Sequence, residues 1–93
     1  MKALFIPLKK KYFMQFKNGE KKFEYRGYGK AWTEKSCVIG RECYISCGYN
    51  GERIKGAISS LEVVHIDDSP IEAQEIYQGK YEKIAKIGIN LYI

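Results

Sequence analysis

The amino-acid sequence predicts an α+β domain in which a small five-stranded sheet curls into a β-barrel and carries two short helices. Three observations support this fold class. Apolar alternation marks five strands, helical spacing marks two helices, and the alternation of the longest strand breaks around Ser59 and Ser60. Such a break indicates a bulge or sharp bend, which helps a small sheet to curl. With 93 residues and 45% apolar content, the chain has room for a single domain, residues 1–93, around one modest core.

The beginning of the chain predicts a strand followed by a helix. Residues 3–8 are apolar throughout, which is typical of a buried strand, and Pro7 places the strand at a sheet edge because proline lacks a backbone N–H. Residues 9–18 predict a short helix whose lysines face water. Gly19 predicts the end of this helix, since glycine readily adopts the left-handed conformation found there. The core-facing residues of the helix are Tyr12, Phe13 and Phe16.

Residues 19–32 are the most unusual stretch, with four cations, two carboxylates, four aromatic residues and three glycines. Alternation over residues 22–26 predicts a strand with Phe23 and Tyr25 on its core-facing side. Strict alternation also places Lys21 on that side, unless the strand twists at its start. The opposite side presents a row of charges: Lys22, Glu24 and Arg26.

A glycine-rich segment follows this strand and leaves Tyr28 and Trp32 beside the row of charges. Cations hold phosphate, and aromatic rings stack on bases or other flat groups. The stretch therefore predicts a binding site. An ordinary surface ion pair between Glu24 and Arg26 is the alternative interpretation, and the two rings are also suited to covering the open end of a barrel.

Two further strands form a predicted hairpin. Residues 41–47 alternate as a half-buried strand, and the glycines and asparagine of residues 48–51 favour a tight turn. Residues 53–66 should therefore return antiparallel to the preceding strand. The inward residues of the first of these strands are Cys43, Ile45 and Cys47, and its outward residues include Tyr44 and Ser46.

The end of the chain predicts a second helix and a last strand. Ser69, Pro70 and Glu72 have the spacing of a capping box, which marks the start of a helix, and Gly79 marks its end. Residues 84–93 alternate as a strand. Because this strand ends on apolar residues, we expect its end to be paired in the sheet.

The positive charge is concentrated in the first part of the chain. Residues 1–41 contain eleven Lys and Arg against three Glu, whereas residues 42–93 contain five against eight Asp and Glu. An excess of cations attracts polyanions such as nucleic acid, although lysines also serve simply to keep a small protein soluble. The apolar run of residues 3–8 is too short for a membrane span or a signal-peptide core, so we expect a cytoplasmic protein that does not bind membranes.

The three cysteines predict reduced thiols. Cys37, Cys43 and Cys47 cannot all pair within one chain, and two that lie four residues apart on one strand are beyond disulfide reach. Together with His65 their spacing matches no common zinc template, so we expect neither a metal site nor a cofactor. The cysteines are interpreted as small buried side chains and His65 as a hydrogen-bonded structural residue.

The motifs and their order resemble a known family. A strand and a helix lead to Gly19-x-Lys21-x-x-Glu24-x-Arg26, followed by Tyr28-Gly29-x-x-Trp32, Gly40-Arg41, Gly48-Tyr49 and a closing Ile-Gly-Ile strand. This arrangement resembles the ASCH domain of the PUA-like superfamily over nearly the whole chain, and it looks like the small stand-alone ASCH proteins of bacteriophages and prophages. The resemblance implies a PUA-like β-barrel with a cleft suspected to bind RNA.

The same resemblance also implies an enzymatic possibility. Some bacterial relatives of this family are amidohydrolases that remove the acetyl group from acetylcytidine by means of a lysine, a threonine and a glutamate. Their lysine falls on Lys21 and their threonine falls on Glu24, where this sequence departs from the pattern. For their glutamate, Glu72 and Glu75 are the candidates by position after the fourth strand.

Three functional hypotheses follow from the sequence. The first is a non-enzymatic module that binds RNA or a nucleotide. The second is a small amidohydrolase acting on an acetylated nucleoside, with Lys21 as the reactive amine and Glu24 as a further catalytic candidate. The third is a phage-encoded module that docks on a host protein through its aromatic loop. The predicted ligand-binding residues are Lys21, Lys22, Glu24, Arg26, Tyr28 and Trp32, with Arg41 and Arg53 as a possible extension of the surface.

Overall fold

The computed structural model describes residues 1–93 and contains five strands and two α-helices in the predicted order, which confirms the α+β class. The strands are β1 (Leu4–Leu8), β2 (Phe23–Gly27), β3 (Glu42–Cys47), β4 (Arg53–His65) and β5 (Lys83–Leu91). The helices are α1 (Lys10–Lys17) and α2 (Ile71–Tyr77), and a short 3-10 helix over Ile66–Asp68 precedes α2. Neither helix has the length and apolar character needed to span a membrane.

The five strands form one mixed sheet in the order β1-β3-β4-β5-β2. The β1–β3 pair is parallel and the other pairs are antiparallel, including the predicted β3–β4 hairpin. The β4–β5 register shifts between Ile58 and Ser60, which confirms the predicted break in the longest strand. Gly88 lies opposite this bulge, where a Cβ atom would collide with the Ser60 hydroxyl, so any other residue would force the serine side chain to move.

The sheet curls into a half-barrel whose two edges face each other. β1 and β2 are the edge strands, and the strand pairings do not join them. Instead, Arg26 Nη2 donates a 2.6 Å hydrogen bond across the gap to the carbonyl oxygen of Pro7. We call this gap the seam. The sequence predicted a complete barrel; the structure has a curled sheet whose open seam is crossed by a side chain.

The core lies on the concave side of the sheet. α1 contributes Phe13 and Phe16, both at most 2% exposed, and β5 contributes residues that are buried on both sides of the strand. Ser46, predicted to face outward, is nevertheless fully buried. The end of the chain, which was expected to be paired in the sheet, is paired only in part. The Tyr92 N–H donates to the Lys55 carbonyl at 2.9 Å, but Ile93 is 78% exposed.

The burial of the first two residues of β2 is the reverse of the sequence prediction. Phe23 was expected in the core but is 37% exposed, and the Lys86 ammonium lies 4.4 Å from its ring centroid. Glu24 was expected on the outer face but is only 8% exposed. Tyr25 and Arg26 are both partly buried, so the strand does not divide into one apolar and one charged face. Arg26 pairs with Glu24, which makes burial of the carboxylate tolerable.

The predicted capping box of α2 is also wrong. The Ser69 hydroxyl donates a 2.6 Å hydrogen bond to the Ile66 carbonyl, so it completes the preceding 3-10 helix instead of capping α2. Pro70 is the residue that precedes α2, and the helix begins without a side-chain cap. Gly79 has φ +80°, which agrees with its predicted role after the helix end.

Candidate functional site

The seam contains a cleft of about 210 Å³ that brings four elements together. β1 and the start of α1 form one wall, β2 forms the floor, and α2 forms the opposite wall. The cleft is lined by Pro7, Leu8, Lys9, Tyr12, Lys21, Glu24, Tyr25, Arg26, Ala73, Ile76 and Tyr77. Three of the predicted site residues, Lys21, Glu24 and Arg26, therefore lie in one cleft.

Lys21 faces Glu24, contrary to strict strand alternation. Its Nζ atom lies 3.9 Å from Glu24 Oε1, and the two side chains are 19% and 11% exposed. Lys21 precedes β2, and its N–H donates to the Gln15 carbonyl at 3.1 Å in the turn that ends α1. The alternation of the strand does not apply in this turn, so the Lys21 side chain reaches the same cleft as Glu24.

Aromatic rings surround the Lys21 ammonium. Its Nζ atom lies 5.4 Å from the ring centroid of Tyr12, 5.7 Å from that of Phe16 and 5.3 Å from that of Tyr25. These distances are within the range of cation–π attraction, but the rings also exclude water.

Burial lowers the pKa of Lys21 below its usual value of 10.5, and the negative charges of Glu24 and Glu72 oppose this effect. Of the two glutamates proposed by position, Glu72 is thus the one whose charge acts on Lys21. Because the pKa is lowered, a larger fraction of Lys21 is neutral at a given pH. The neutral amine is the form that accepts protons or attacks carbonyl carbons.

Arg26 fixes the position of Glu24 in the cleft and connects β2 to β1. Its Nε atom donates a 2.7 Å hydrogen bond to Glu24 Oε2, while Nη2 donates to the Pro7 carbonyl across the seam. The indole ring of Trp32 lies beneath the guanidinium, with 4.8 Å between Arg26 Cζ and the ring centroid. Arg26 therefore fixes the position of Glu24 and leaves Nη1 as its uncommitted nitrogen.

Tyr77 is a cleft residue that the sequence analysis missed. Burial raises the pKa of the Tyr77 hydroxyl, an effect that the nearby positive charge of Arg26 opposes. Its ring packs edge-on against Tyr81 at 5.6 Å between centroids. Ala73, Ile76 and Tyr77 are spaced three and four residues apart on α2, so helical periodicity in residues 71–77 was the available signal.

The remaining predicted site residues do not line this cleft. Lys22 is exposed and lines another cavity, of about 430 Å³, beside Phe23; Lys21 lines both this cavity and the cleft. The Tyr28 hydroxyl binds the Glu34 carboxylate at 2.6 Å, which raises the pKa of Tyr28. Tyr28 and Trp32 both pack partly buried against the core.

The two arginines of the predicted extension are engaged elsewhere. Arg41 donates to the carbonyls of Lys2 and Ser36 at 2.9 and 2.7 Å, which anchors the chain before β1 and the loop before β3. Arg53 lies over the ring of Phe5, with 4.7 Å between Cζ and the centroid. Neither arginine lines the cleft.

The thiols and the histidine are placed as structural residues. Cys37, Cys43 and Cys47 are free thiols, and burial raises the pKa of Cys43 to about 11. His65 Nδ1 accepts a 3.1 Å hydrogen bond from the Asp67 N–H. No group of three or more His, Cys, Asp or Glu side chains is arranged to hold a metal ion.

The cleft thus offers the ammonium groups of Lys9 and Lys21, the carboxylate of Glu24 and flat aromatic walls in a small, partly enclosed space. No protein-family model matches the chain, and no curated protein matches it. The geometry of the cleft is therefore the basis on which a function is inferred.

Proposed function

We propose that the protein binds the base of a nucleotide in the seam cleft, either as a free nucleotide or as an unpaired nucleotide of RNA. The observation that carries this proposal is the convergence of Lys21 and Glu24, 3.9 Å apart, in a cleft walled by the rings of Tyr12, Tyr25 and Tyr77. Tyrosine rings stack on bases, and polar groups at the end of a stacking pocket bind the edge of the base.

The pair of charges favours particular base edges. A carboxylate such as that of Glu24 accepts hydrogen bonds from an exocyclic amino group, and an ammonium such as that of Lys21 donates to an adjacent ring nitrogen. Cytosine and adenine present this combination, whereas uracil has a carbonyl oxygen in place of the amino group. We therefore expect cytidine and adenosine nucleotides to bind more tightly than uridine nucleotides.

The size of the cleft favours a single base as the ligand and not a longer segment of stacked bases. At about 210 Å³ it is smaller than the roughly 300–1,000 Å³ typical of drug-sized ligand sites. The resemblance to ASCH domains supports the same proposal, because Lys21, Glu24 and Arg26 of the Gly-x-Lys-x-x-Glu-x-Arg motif all lie in the cleft. We propose that the chain is an ASCH-like domain on this ground.

Calorimetric titration with cytidine monophosphate and with a short single-stranded RNA tests the proposal. We expect Lys21→Met to weaken binding about tenfold or more, because a hydrogen bond to a charged group contributes about 1.5–3 kcal/mol. Lys22→Met is the matched control, since the neighbouring lysine does not line the cleft. Absence of binding by the wild-type protein, or an equal loss in both variants, would contradict the proposal.

Hydrolysis of an amide on the bound base is the second candidate function. It is favoured by the lowered pKa of Lys21, because burial increases the fraction of its neutral amine against the opposing charges of Glu24 and Glu72. The neutral Lys21 amine would take a proton from water as the water oxygen attacks the amide carbonyl carbon. The C–N bond would then break, and the Lys21 ammonium would return the proton to the leaving nitrogen.

Incubation with acetylcytidine tests this second function, with release of cytidine and acetate followed by chromatography. We expect turnover by the wild-type protein and none by Lys21→Met. Binding of acetylcytidine without turnover would leave the protein as a binding module, and unchanged turnover in Lys21→Met would exclude Lys21 as the reactive amine.

A further inference from the structure

A second cavity adjoins the seam cleft on the β1 side. It has a volume of about 260 Å³ and shares Pro7, Leu8, Lys9 and Arg26 with the cleft. Its remaining lining residues, Gly48 and Tyr49, come from the β3–β4 hairpin. We call this cavity the Tyr49 groove. Because four residues line both spaces, a ligand seated in the cleft can extend into the groove.

The charged residues that line the Tyr49 groove are cations alone. Lys9 and Arg26 line it without a carboxylate, whereas the cleft also contains Glu24. Lys9 is exposed and takes part in none of the ion pairs of the protein. The Nη1 atom of Arg26 is uncommitted, since the other two nitrogens bind Glu24 and Pro7. Lys9 has no carboxylate partner, and Arg26, although paired with Glu24, keeps Nη1 free to donate, so the groove favours a negatively charged group.

The third polar group of the groove is the Tyr49 hydroxyl. The Gly48 N–H donates a 2.8 Å hydrogen bond to the Leu8 carbonyl, which fastens the hairpin to the end of β1. Beside it, the Tyr49 ring packs against Phe5 with 6.3 Å between centroids, although the residue is 73% exposed. The ring is therefore supported on one side, and Tyr49 remains largely exposed where it lines the groove.

We infer that the Tyr49 groove binds the phosphate adjacent to the base held in the seam cleft, with Lys9, Arg26 Nη1 and the Tyr49 hydroxyl as donors. This inference rests on the proposed function and extends it. The preferred ligand is then a nucleotide, either free or within a strand, and not a nucleoside. The groove lies on the β1 side of the cleft, so the sugar–phosphate chain would follow β1 and the hairpin and not the wall formed by α2.

Calorimetric titration of the wild-type protein with cytidine, its 5′-monophosphate, its 3′-monophosphate and a cytidine trinucleotide tests the inference. We expect one monophosphate to bind about tenfold more tightly than cytidine, as a charge-assisted contact predicts. Further tightening with the trinucleotide would identify an RNA strand as the source of the phosphate. Equal affinities of the trinucleotide and that monophosphate would identify a free nucleotide.

Variants then assign the phosphate to the groove. In Lys9→Ala the ratio of monophosphate affinity to cytidine affinity should fall several-fold toward one, and Tyr49→Phe should lower it while preserving the ring. Lys80→Ala is the matched control, because this exposed lysine lines a different cavity, beside His65. Both groove side chains are exposed, so the variants should keep the wild-type circular dichroism spectrum.

The failures of the two proposals are distinguishable. If cytidine and both monophosphates bind with equal affinity, or if Lys80→Ala lowers the ratio as much as Lys9→Ala, the groove inference is overturned while base binding stands. If none of the four ligands binds, the proposed function and the inference are overturned together.

Discussion

Replacing Arg26 with methionine should destabilise the protein substantially, because the guanidinium connects the two edges of the sheet. The variant removes the 2.7 Å hydrogen bond to Glu24 and the 2.6 Å hydrogen bond to the Pro7 carbonyl. Arg26 and Glu24 are only 17% and 11% exposed, so solvent screens their interaction weakly. At about 1.5 kcal/mol for each charge-assisted hydrogen bond, the expected loss is about 3 kcal/mol. For a domain of this size, that loss corresponds to a decrease in Tm of roughly 12–24 °C.

Urea denaturation followed by circular dichroism measures this free energy of unfolding. Lys17→Met is the matched control: the Lys17–Glu52 ion pair joins exposed side chains, 42% and 52% exposed, and should contribute under about 1 kcal/mol. A double-mutant cycle with Glu24→Gln isolates the part of the loss that depends on the ion pair. The reasoning is refuted if Arg26→Met loses no more than Lys17→Met, since the seam would then be held by other contacts.

Three further predictions concern Lys21, Tyr28 and the thiols. Lys21→Met should be at least as resistant to urea as the wild type at neutral pH. The reason is that the lowered pKa of Lys21 means that the folded state holds the proton less tightly than the unfolded state. The difference in free energy of unfolding between variant and wild type should therefore shrink as the pH rises toward 10.5. A less stable variant at neutral pH would contradict this. Tyr28→Phe, which loses only the exposed bond to Glu34, should leave nucleotide affinity unchanged in the calorimetric titration. Iodoacetamide should modify Cys47 before Cys43, whose burial and pKa of about 11 suppress the thiolate, and peptide mass spectrometry would reveal the opposite order.

Local signals in the sequence were sufficient for most of the secondary structure. Gly19 and Gly79 have φ +80°, which only glycine adopts without strain, and each follows a predicted helix. The break at Ser59 and Ser60 is visible as lost alternation in the sequence and as a register shift in the sheet. These features depend on residues close together in the chain, which is why the sequence reveals them.

The faces of β2 and the composition of the cleft depend on distant residues. Glu24 is buried because of Arg26, and Arg26 is held in turn by the carbonyl of Pro7, nineteen positions away. A pattern rule places rings inside and charges outside, so it predicts the wrong burial for Phe23 and Glu24. Tyr77 reaches the cleft through the packing of α2 against β2, which alternation within the 19–32 stretch does not encode.

The site was predicted in part for the same reason. Lys21, Glu24 and Arg26 lie within six consecutive positions and converge in the structure, so the local motif identified them. Because this stretch is dense in charges and rings, Lys22, Tyr28 and Trp32 were also predicted as site residues, but they do not line the cleft. Composition shows that polar and aromatic groups are near one another in the chain. Which of them line the cleft depends on the turn before β2 and on the seam.

Chemical-shift mapping of the ¹⁵N-labelled protein with cytidine monophosphate tests the central claim most directly. The account predicts that the amide signals that move on titration belong to the residues around the seam, among them Lys21, Glu24, Arg26 and Tyr77. Signals that move only around Arg41 or Arg53, or no movement at saturating ligand, would contradict the assignment of the seam cleft as the binding site.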